Sequence, residues 1–153
     1  MKFNYHLPVN LVFGRGRVAE LGSIAKTYGK KALIVTGKSS AKNGALMDVL
    51  GALHEHGTAV VVFDETEENP SIEMVMRVRE LGLQENVDFV IGIGGGSPMD
   101  AAKAIALMLY HKEKGAEFLY QNGDAVCDSD DPCEAYEVQS AASDLSGICA
   151  GRW

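Results

Sequence analysis

The chain has 153 residues, 46% of them apolar and 23% charged, with a formal net charge of −7. That length fits about one domain able to bury a sizeable core, and the acidic balance argues against a nucleic-acid surface. No apolar run approaches the ~18 residues of a membrane span, and Met1 to His6 lacks the apolar heart of a signal peptide, so the cytoplasm is the expected location.

Asn4 to Phe13 alternates loosely around Pro8 and reads as short edge strands, because Pro8 cannot donate to a ladder. Val18, Leu21, Ile24 and Ala25 recur at helical spacing between Gly16 and Tyr28, and Gly29 is the stop. Lys31 to Thr36 (KALIVT) has the continuous apolar character of a strand covered on both faces. Gly37-Lys38-Ser39-Ser40 follows, then a helical stretch from about Gly44 to His56. Thr58 to Phe63 (TAVVVF) is the next strand, and it runs into the acidic loop Asp64 to Glu68 and then Asn69-Pro70. Ser71 caps a helix to about Gln84, with Ile72, Val75, Met76 and Val78 among its buried positions.

The stretch Val87 to Lys103 carries the strongest signal. Val87 to Ile93 is almost wholly apolar and β-branched, which suits a buried parallel strand. Gly94, Gly95 and Gly96 remove three consecutive Cβ atoms, so the backbone can turn tightly and lie against a ligand. Ser97 is a good N-cap, Pro98 suits the first helical position and Asp100 makes an imperfect capping box. A helix opening there, reaching to about His111, aims free N–H groups and the positive end of its dipole into the turn, which is a phosphate site. Such turns also occur for close packing alone. Reading G-x-G-x-x-G from Gly92 puts Ser97 where the third glycine belongs, so this is not the dinucleotide fingerprint.

The alternation β-α-β-α-β-α implies a Rossmann-like α/β fold, a parallel sheet with helices on both faces. Ligands in such sheets sit outside the carboxyl ends of the strands. Three loops meet that description: Gly37 to Ser40, Asp64 to Pro70 and Gly94 to Ser97. Lys38 offers a positive charge and Ser39 and Ser40 offer hydroxyls, a set suited to a second phosphate. A solvated loop lysine is the plainer reading of Lys38. Asp64 to Glu68 reads as a solvated acidic face and stays outside the site. Asn69, held extended before Pro70, either addresses the crevice or only shapes a turn. Asp100 would repel a pyrophosphate, so it caps the helix or reaches past the phosphates; Lys103, one turn on, pairs with it or faces the ligand.

His54 and His56 lack the i, i+4 spacing of a metal pair, and Cys127, Cys133 and Cys149 have neither zinc nor disulfide-framework spacing. There is no Walker A motif and no nucleophile elbow. No catalytic residue and no metal ligand is visible in the chain; from the residues alone it is a binding fold for a phosphate-bearing small molecule.

The composition changes near residue 123. Asp124 to Trp153 holds seven acidic residues against one basic, Arg152, together with all three cysteines and the only tryptophan. This segment shows no clear periodicity and is expected to be poorly ordered.

The segment Gly94-Gly95-Gly96-Ser97-Pro98-Met99-Asp100-Ala101-Ala102-Lys103 resembles the signature of the iron-containing (group III) alcohol dehydrogenases. Lys31 to Gly44, Asn69-Pro70 and Leu7-Pro8 with Val12-Phe13-Gly14 agree with that family in order and spacing, so the resemblance covers about residues 1–123. It implies a dehydroquinate synthase-like N-terminal α/β domain that binds NAD(P), followed in the family by an all-helical domain holding a divalent metal, usually iron. The metal polarises an alcohol oxygen while hydride passes to the nicotinamide. On this resemblance Gly94, Gly95, Gly96 and Ser97 hold the pyrophosphate, Asp100 lies towards the nicotinamide and Asn69 lines the cleft. Gly37 stands where NAD-preferring members often carry aspartate, and Lys38-Ser39-Ser40 resembles NADP-preferring members, so NADP is favoured with NAD as the alternative.

The family's Thr-Thr turn, helical domain and metal ligands (an aspartate and three histidines) have no counterpart here. The expectation is therefore a cofactor-binding domain at 1–123 and a non-family acidic tail at 124–153, a truncated or frameshifted product that is inactive alone. Its partners would be a nicotinamide dinucleotide and, in the full-length enzyme, a small alcohol or aldehyde; a homodimer stays open. Two other readings compete. One is a nucleotide-binding module without catalysis; the other is a glycerol dehydrogenase or dehydroquinate synthase-like relative.

Overall fold

The computed structural model describes residues 9–121, 135–139 and 147–152. After β1 (Val9–Phe13) comes a short 3-10 turn, Arg17–Glu20, and then α1 (Leu21–Ala25), so the predicted helix of Gly16 to Tyr28 is split in two. Then follow β2 (Lys31–Thr36), α2 (Lys38–Lys42), α3 (Ala45–Glu55), β3 (Ala59–Phe63), α4 (Ile72–Gln84), β4 (Phe89–Gly94) and α5 (Gly96–Tyr110). A short α6 (Phe118–Gln121) precedes two further strands, β5 (Ala135–Gln139) and β6 (Gly147–Arg152).

The sheet runs β1-β5-β6-β4-β2-β3. Its centre is parallel: β2 pairs with β3 from Lys31↔Ala59 and with β4 from Ala32↔Phe89. β6 runs antiparallel to both β4 and β5, while β1 and β5 are parallel. The fold is the expected α/β arrangement with helices on both faces. The sequence reading has no ordered element in 124–153, and the structure differs for two stretches of it, the strands β5 and β6. Five or six residues of weakly alternating sequence, such as Tyr136-Glu137-Val138, give little period-two signal in an acidic and glycine-bearing context. The rest of that tail lies outside the described residues, as does the predicted edge strand before Val9.

Alternation along the strands sorts the core into two halves. Ala32 and Ile34 of β2 with Phe89, Ile91 and Ile93 of β4 face α1 and α3, against Leu21, Leu46, Val49 and Leu53. Leu33, Val35 and Val90 face the other way, against Val75 and Val78 of α4 and Ile105 and Met108 of α5. Full burial of such a side chain contributes roughly 1.5–3 kcal/mol. Ser71 caps α4, its hydroxyl accepting the Met74 N–H at 3.2 Å. Gly92 is a packing glycine: a Cβ there would lie 2.8 Å from the Ala102 Cβ, so its absence lets α5 lie close on the sheet.

These two layers fix the site. β2 hands the chain to α2 and α3 on one face, and its neighbour β4 hands it to α5 on the other. Adjacent parallel strands whose helices leave in opposite directions open a crevice at their carboxyl ends. Among the described residues no helix is long and apolar enough to cross a membrane.

Candidate functional site

The crevice is walled by the segment after β2, the loop after β3 and the glycine turn after β4. Gly94 closes β4 with φ +141°, a conformation that disfavours any side chain, and a Cβ there would meet Pro98 at 2.8 Å. Gly95 and Gly96 differ from it: both are exposed, and a Cβ on either would meet nothing within 4 Å. One of the three glycines is thus required by the fold, and the other two leave open space above the backbone.

α5 begins at Gly96 with Gly95 as its N-cap and no side-chain cap. This corrects the sequence reading of Ser97 as the cap and Pro98 as the first helical residue. Because the Cβ-free Gly95 and Gly96 take the capping positions, Ser97 falls inside the first turn, and Asp100 is too far along to complete a capping box. No side-chain hydroxyl caps that turn, so its first N–H groups are left without a capping partner. Ser97 Oγ instead accepts the backbone N–H of Asn69 at 3.4 Å, a long contact joining the loop after β3 to the turn after β4.

Asn69 is itself corrected. It is not extended: its φ is +53°, in the left-handed region that asparagine tolerates better than other non-glycine residues. It is exposed at the rim, and its main chain faces Ser97.

The segment after β2 is also different from a loop. Gly37 is the N-cap of α2, and that single helical turn rotates the three side chains apart. Lys38 and Ser39 are exposed, whereas Ser40 is 2% exposed and its hydroxyl donates to the Ile93 carbonyl at 3.4 Å. Ser40 is turned into the sheet and does not extend the hydroxyl set towards a ligand. Gly37 is buried beside the loop after β3, where a Cβ would lie 3.6 Å from the Thr66 carbonyl.

Sequence reasoning missed Thr36, which ties the site together. It is fully buried, and its hydroxyl donates to the same Ile93 carbonyl at 2.8 Å. Its own carbonyl accepts the Thr66 N–H at 3.1 Å. A single threonine at the end of β2 thus holds both neighbouring walls. The available signal is a polar residue closing an otherwise apolar strand.

Asp100 and Lys103 pair with each other on the solvent face of α5, Nζ to Oδ1 at 3.8 Å, with both side chains more than half exposed. So exposed a pair adds little stability. The segments carrying Gly37 to Ser39, Asn69 and Gly94 to Ser97 meet at the carboxyl ends of the strands through the Thr66–Thr36, Thr36–Ile93 and Asn69–Ser97 contacts, whereas Ser40 turns into the sheet and Asp100 and Lys103 lie on the solvent face of α5. Among the described residues no three His, Cys, Asp or Glu side chains are placed to hold a metal ion.

Comparison with known proteins gives the chain relatives. The sequence model described as iron-containing alcohol dehydrogenase matches residues 8–141, which extends past residue 123, where the sequence resemblance ends. An NADPH-dependent butanol dehydrogenase of Clostridium saccharobutylicum is 40% identical over 111 residues, 72% of this chain and 28% of the relative. The NADH-dependent butanol dehydrogenase A of Clostridium acetobutylicum is 37% identical over 112 residues, 72% of this chain and 29% of that protein. Among solved structures, an iron-containing alcohol dehydrogenase from Thermotoga maritima superposes with a TM-score of 0.72 at 44% identity, covering 78% of this chain and 34% of its own. The chain spans less than a third of the length of the curated relatives it matches.

Proposed function

The chain belongs to the iron-containing alcohol dehydrogenase family, and from that premise we propose that its crevice binds a nicotinamide dinucleotide, with NADP preferred over NAD. The observation that carries this reading is the division among the glycines. Gly94 is needed for the turn and for Pro98, but Gly95 and Gly96 face open space at the mouth of a helix of 15 residues. Open space over bare backbone N–H groups at a helix N-terminus suits a pyrophosphate.

The remaining roles follow from position. Ser97 stands in the first turn, its hydroxyl able to donate to a phosphate oxygen while it accepts from Asn69. Asn69 sets the rim, and Gly37 keeps the floor beside Thr66 free of a side chain. Lys38, exposed on α2, is the cation for a 2′-phosphate, with Ser39 beside it. Glycine at position 37 leaves no carboxylate to repel that phosphate, which supports NADP. Asp100, on the exposed face of α5, would lie towards the nicotinamide end, with Lys103 balancing its charge.

When bound, the dinucleotide supplies a hydride acceptor or donor for an alcohol or aldehyde. The family resemblance implies a divalent metal as well. The described residues do not fit one, so no step is assigned to a metal here. We propose that the chain acts as the dinucleotide-binding part of an alcohol dehydrogenase, binding cofactor and by itself turning over no alcohol. Fluorescence titration with NADPH and NADH tests this: saturable quenching or enhancement, tighter for NADPH, is expected. Absence of binding up to millimolar nucleotide would remove the reading. Metal-dependent oxidation of a simple alcohol by the chain alone would overturn the inactivity.

A further inference from the structure

The loop after β3 runs Asp64-Glu65-Thr66-Glu67-Glu68, and Thr66 stands apart from its neighbours. Asp64, Glu65, Glu67 and Glu68 are exposed, whereas Thr66 is half-buried. Its backbone is tied to the end of β2, the N–H donating to the Thr36 carbonyl at 3.1 Å. Its side chain is not tied. Thr66 Oγ1 is closed off from solvent and has no hydrogen-bond partner among the described residues. A buried hydroxyl left unpaired gives up its water and gains nothing in return, so folded proteins rarely keep one without a use.

Thr66 also borders the space over Gly37. A Cβ on Gly37 would meet the Thr66 carbonyl at 3.6 Å and, chain neighbours aside, nothing else within 4 Å. Dinucleotide sites commonly set a carboxylate at a strand end to take the ribose hydroxyls. β2 ends in Thr36-Gly37 and brings no carboxylate there, and the Thr36 hydroxyl already donates to the Ile93 carbonyl. The four exposed acidic side chains around Thr66 disfavour an anion at this wall. An uncharged hydroxyl is the partner that fits.

Resting on the dinucleotide reading of the crevice, we propose that Thr66 is a further cofactor-binding residue, its hydroxyl pairing with a ribose hydroxyl of the adenosine half. A threonine hydroxyl both donates and accepts, so it serves NADPH and NADH alike. Rotation about the Cα–Cβ bond, from one staggered rotamer to another, carries Oγ1 from its closed side to the ribose. The ligand then supplies the hydrogen bond that the chain does not. This role is separate from that of Lys38. The lysine acts through charge on the 2′-phosphate of one nucleotide, and Thr66 acts on a neutral group that both carry.

Thr66→Val keeps the shape and removes the hydroxyl, and fluorescence titration of the full chain with NADPH and NADH reads the result. Affinity for both nucleotides should fall by about three- to tenfold, the effect of one neutral hydrogen bond, and by the same factor at low and high salt. The urea unfolding midpoint should hold or rise, because the hydroxyl has no partner in the fold to lose. Thr66→Ser should bind within about twofold of the unaltered chain, since it keeps the hydroxyl. A lowered urea midpoint for Thr66→Val, a loss confined to NADPH, or a Thr66→Ser variant as weak as Thr66→Val overturns the proposal. Unchanged affinity in Thr66→Val also overturns it and leaves the dinucleotide reading standing, whereas no binding by the unaltered chain removes both.

Discussion

Thr36 donates its hydroxyl to the carbonyl oxygen of Ile93 at 2.8 Å, across the ends of two paired parallel strands and wholly out of water. Ile93 is the last residue before the glycine turn, so this bond holds the start of that turn to β2. Ser40 reaches the same oxygen only at 3.4 Å, too far to replace it well. Thr36→Val keeps the shape and deletes the donor, leaving a buried carbonyl poorly satisfied. A loss of about 1–2 kcal/mol in urea unfolding is expected. Thr36→Ser, which keeps the hydroxyl, should recover most of it, and equal losses for both variants would assign the effect to packing.

The glycines after β4 should separate fold from ligand. Gly94→Ala places a Cβ at φ +141° and 2.8 Å from Pro98, and Gly92→Ala places one 2.8 Å from the Ala102 Cβ. Each should destabilise by about 1–3 kcal/mol through strain and overpacking. Gly95→Ala meets nothing within 4 Å at φ −81°, so its unfolding midpoint should move little. Its affinity for NADPH should fall tenfold or more if phosphate lies on that backbone. Unchanged affinity would return Gly95 to a packing role.

Two serines near helix starts behave differently. Ser71 is a true cap, its hydroxyl accepting from Met74, and Ser71→Ala should cost about 1 kcal/mol. Ser97 caps nothing, and its contact to the Asn69 N–H is long at 3.4 Å. Ser97→Ala should stay within about 0.5 kcal/mol in stability. On the proposed reading its effect should be on nucleotide binding, read by the same fluorescence titration; a stability loss equal to that of Ser71→Ala would mean that Ser97 is a cap after all.

The contrast between these serines shows what was legible in the sequence. Strands such as KALIVT and the capped helix from Ile72 announce themselves, because burial on both faces and a cap followed by helical periodicity are local signals. The glycine turn was legible for the same reason. Ser97 was misplaced because a cap-like serine after glycines is locally indistinguishable from one a residue later in the helix. Ser40 was grouped with Lys38 because a single turn of helix, rather than a loop, decides which way each side chain points. Asn69 took a left-handed conformation where Pro70 alone predicts an extended one, since its N–H is directed to Ser97, 28 residues away. Thr36 escaped notice because its importance lies in a partner 57 residues distant. The order of the strands, with β5 and β6 between β1 and β4, rests on long-range pairing that no local pattern encodes.

On the proposed reading, Lys38 is the residue that would decide between the two dinucleotides. It is exposed on α2, next to Gly37, where a Cβ would have room at 3.6 Å from the Thr66 carbonyl. Lys38→Asp reverses the charge without touching the core, so unfolding by urea should be nearly unchanged. A 2′-phosphate beside Lys38 would lose an attraction and gain a repulsion; the adenosine ribose of NADH, carrying no charge there, would not. The affinity for NADPH should therefore drop at least tenfold more than that for NADH, and the difference should shrink in high salt, because an exposed pair is screened over about 10 Å at 0.1 M ionic strength. Gly37→Asp should act in the same direction by placing a carboxylate at the strand end while leaving Lys38 in place. Equal losses for both nucleotides in both variants would refute the 2′-phosphate role and return Lys38 to the solvated surface.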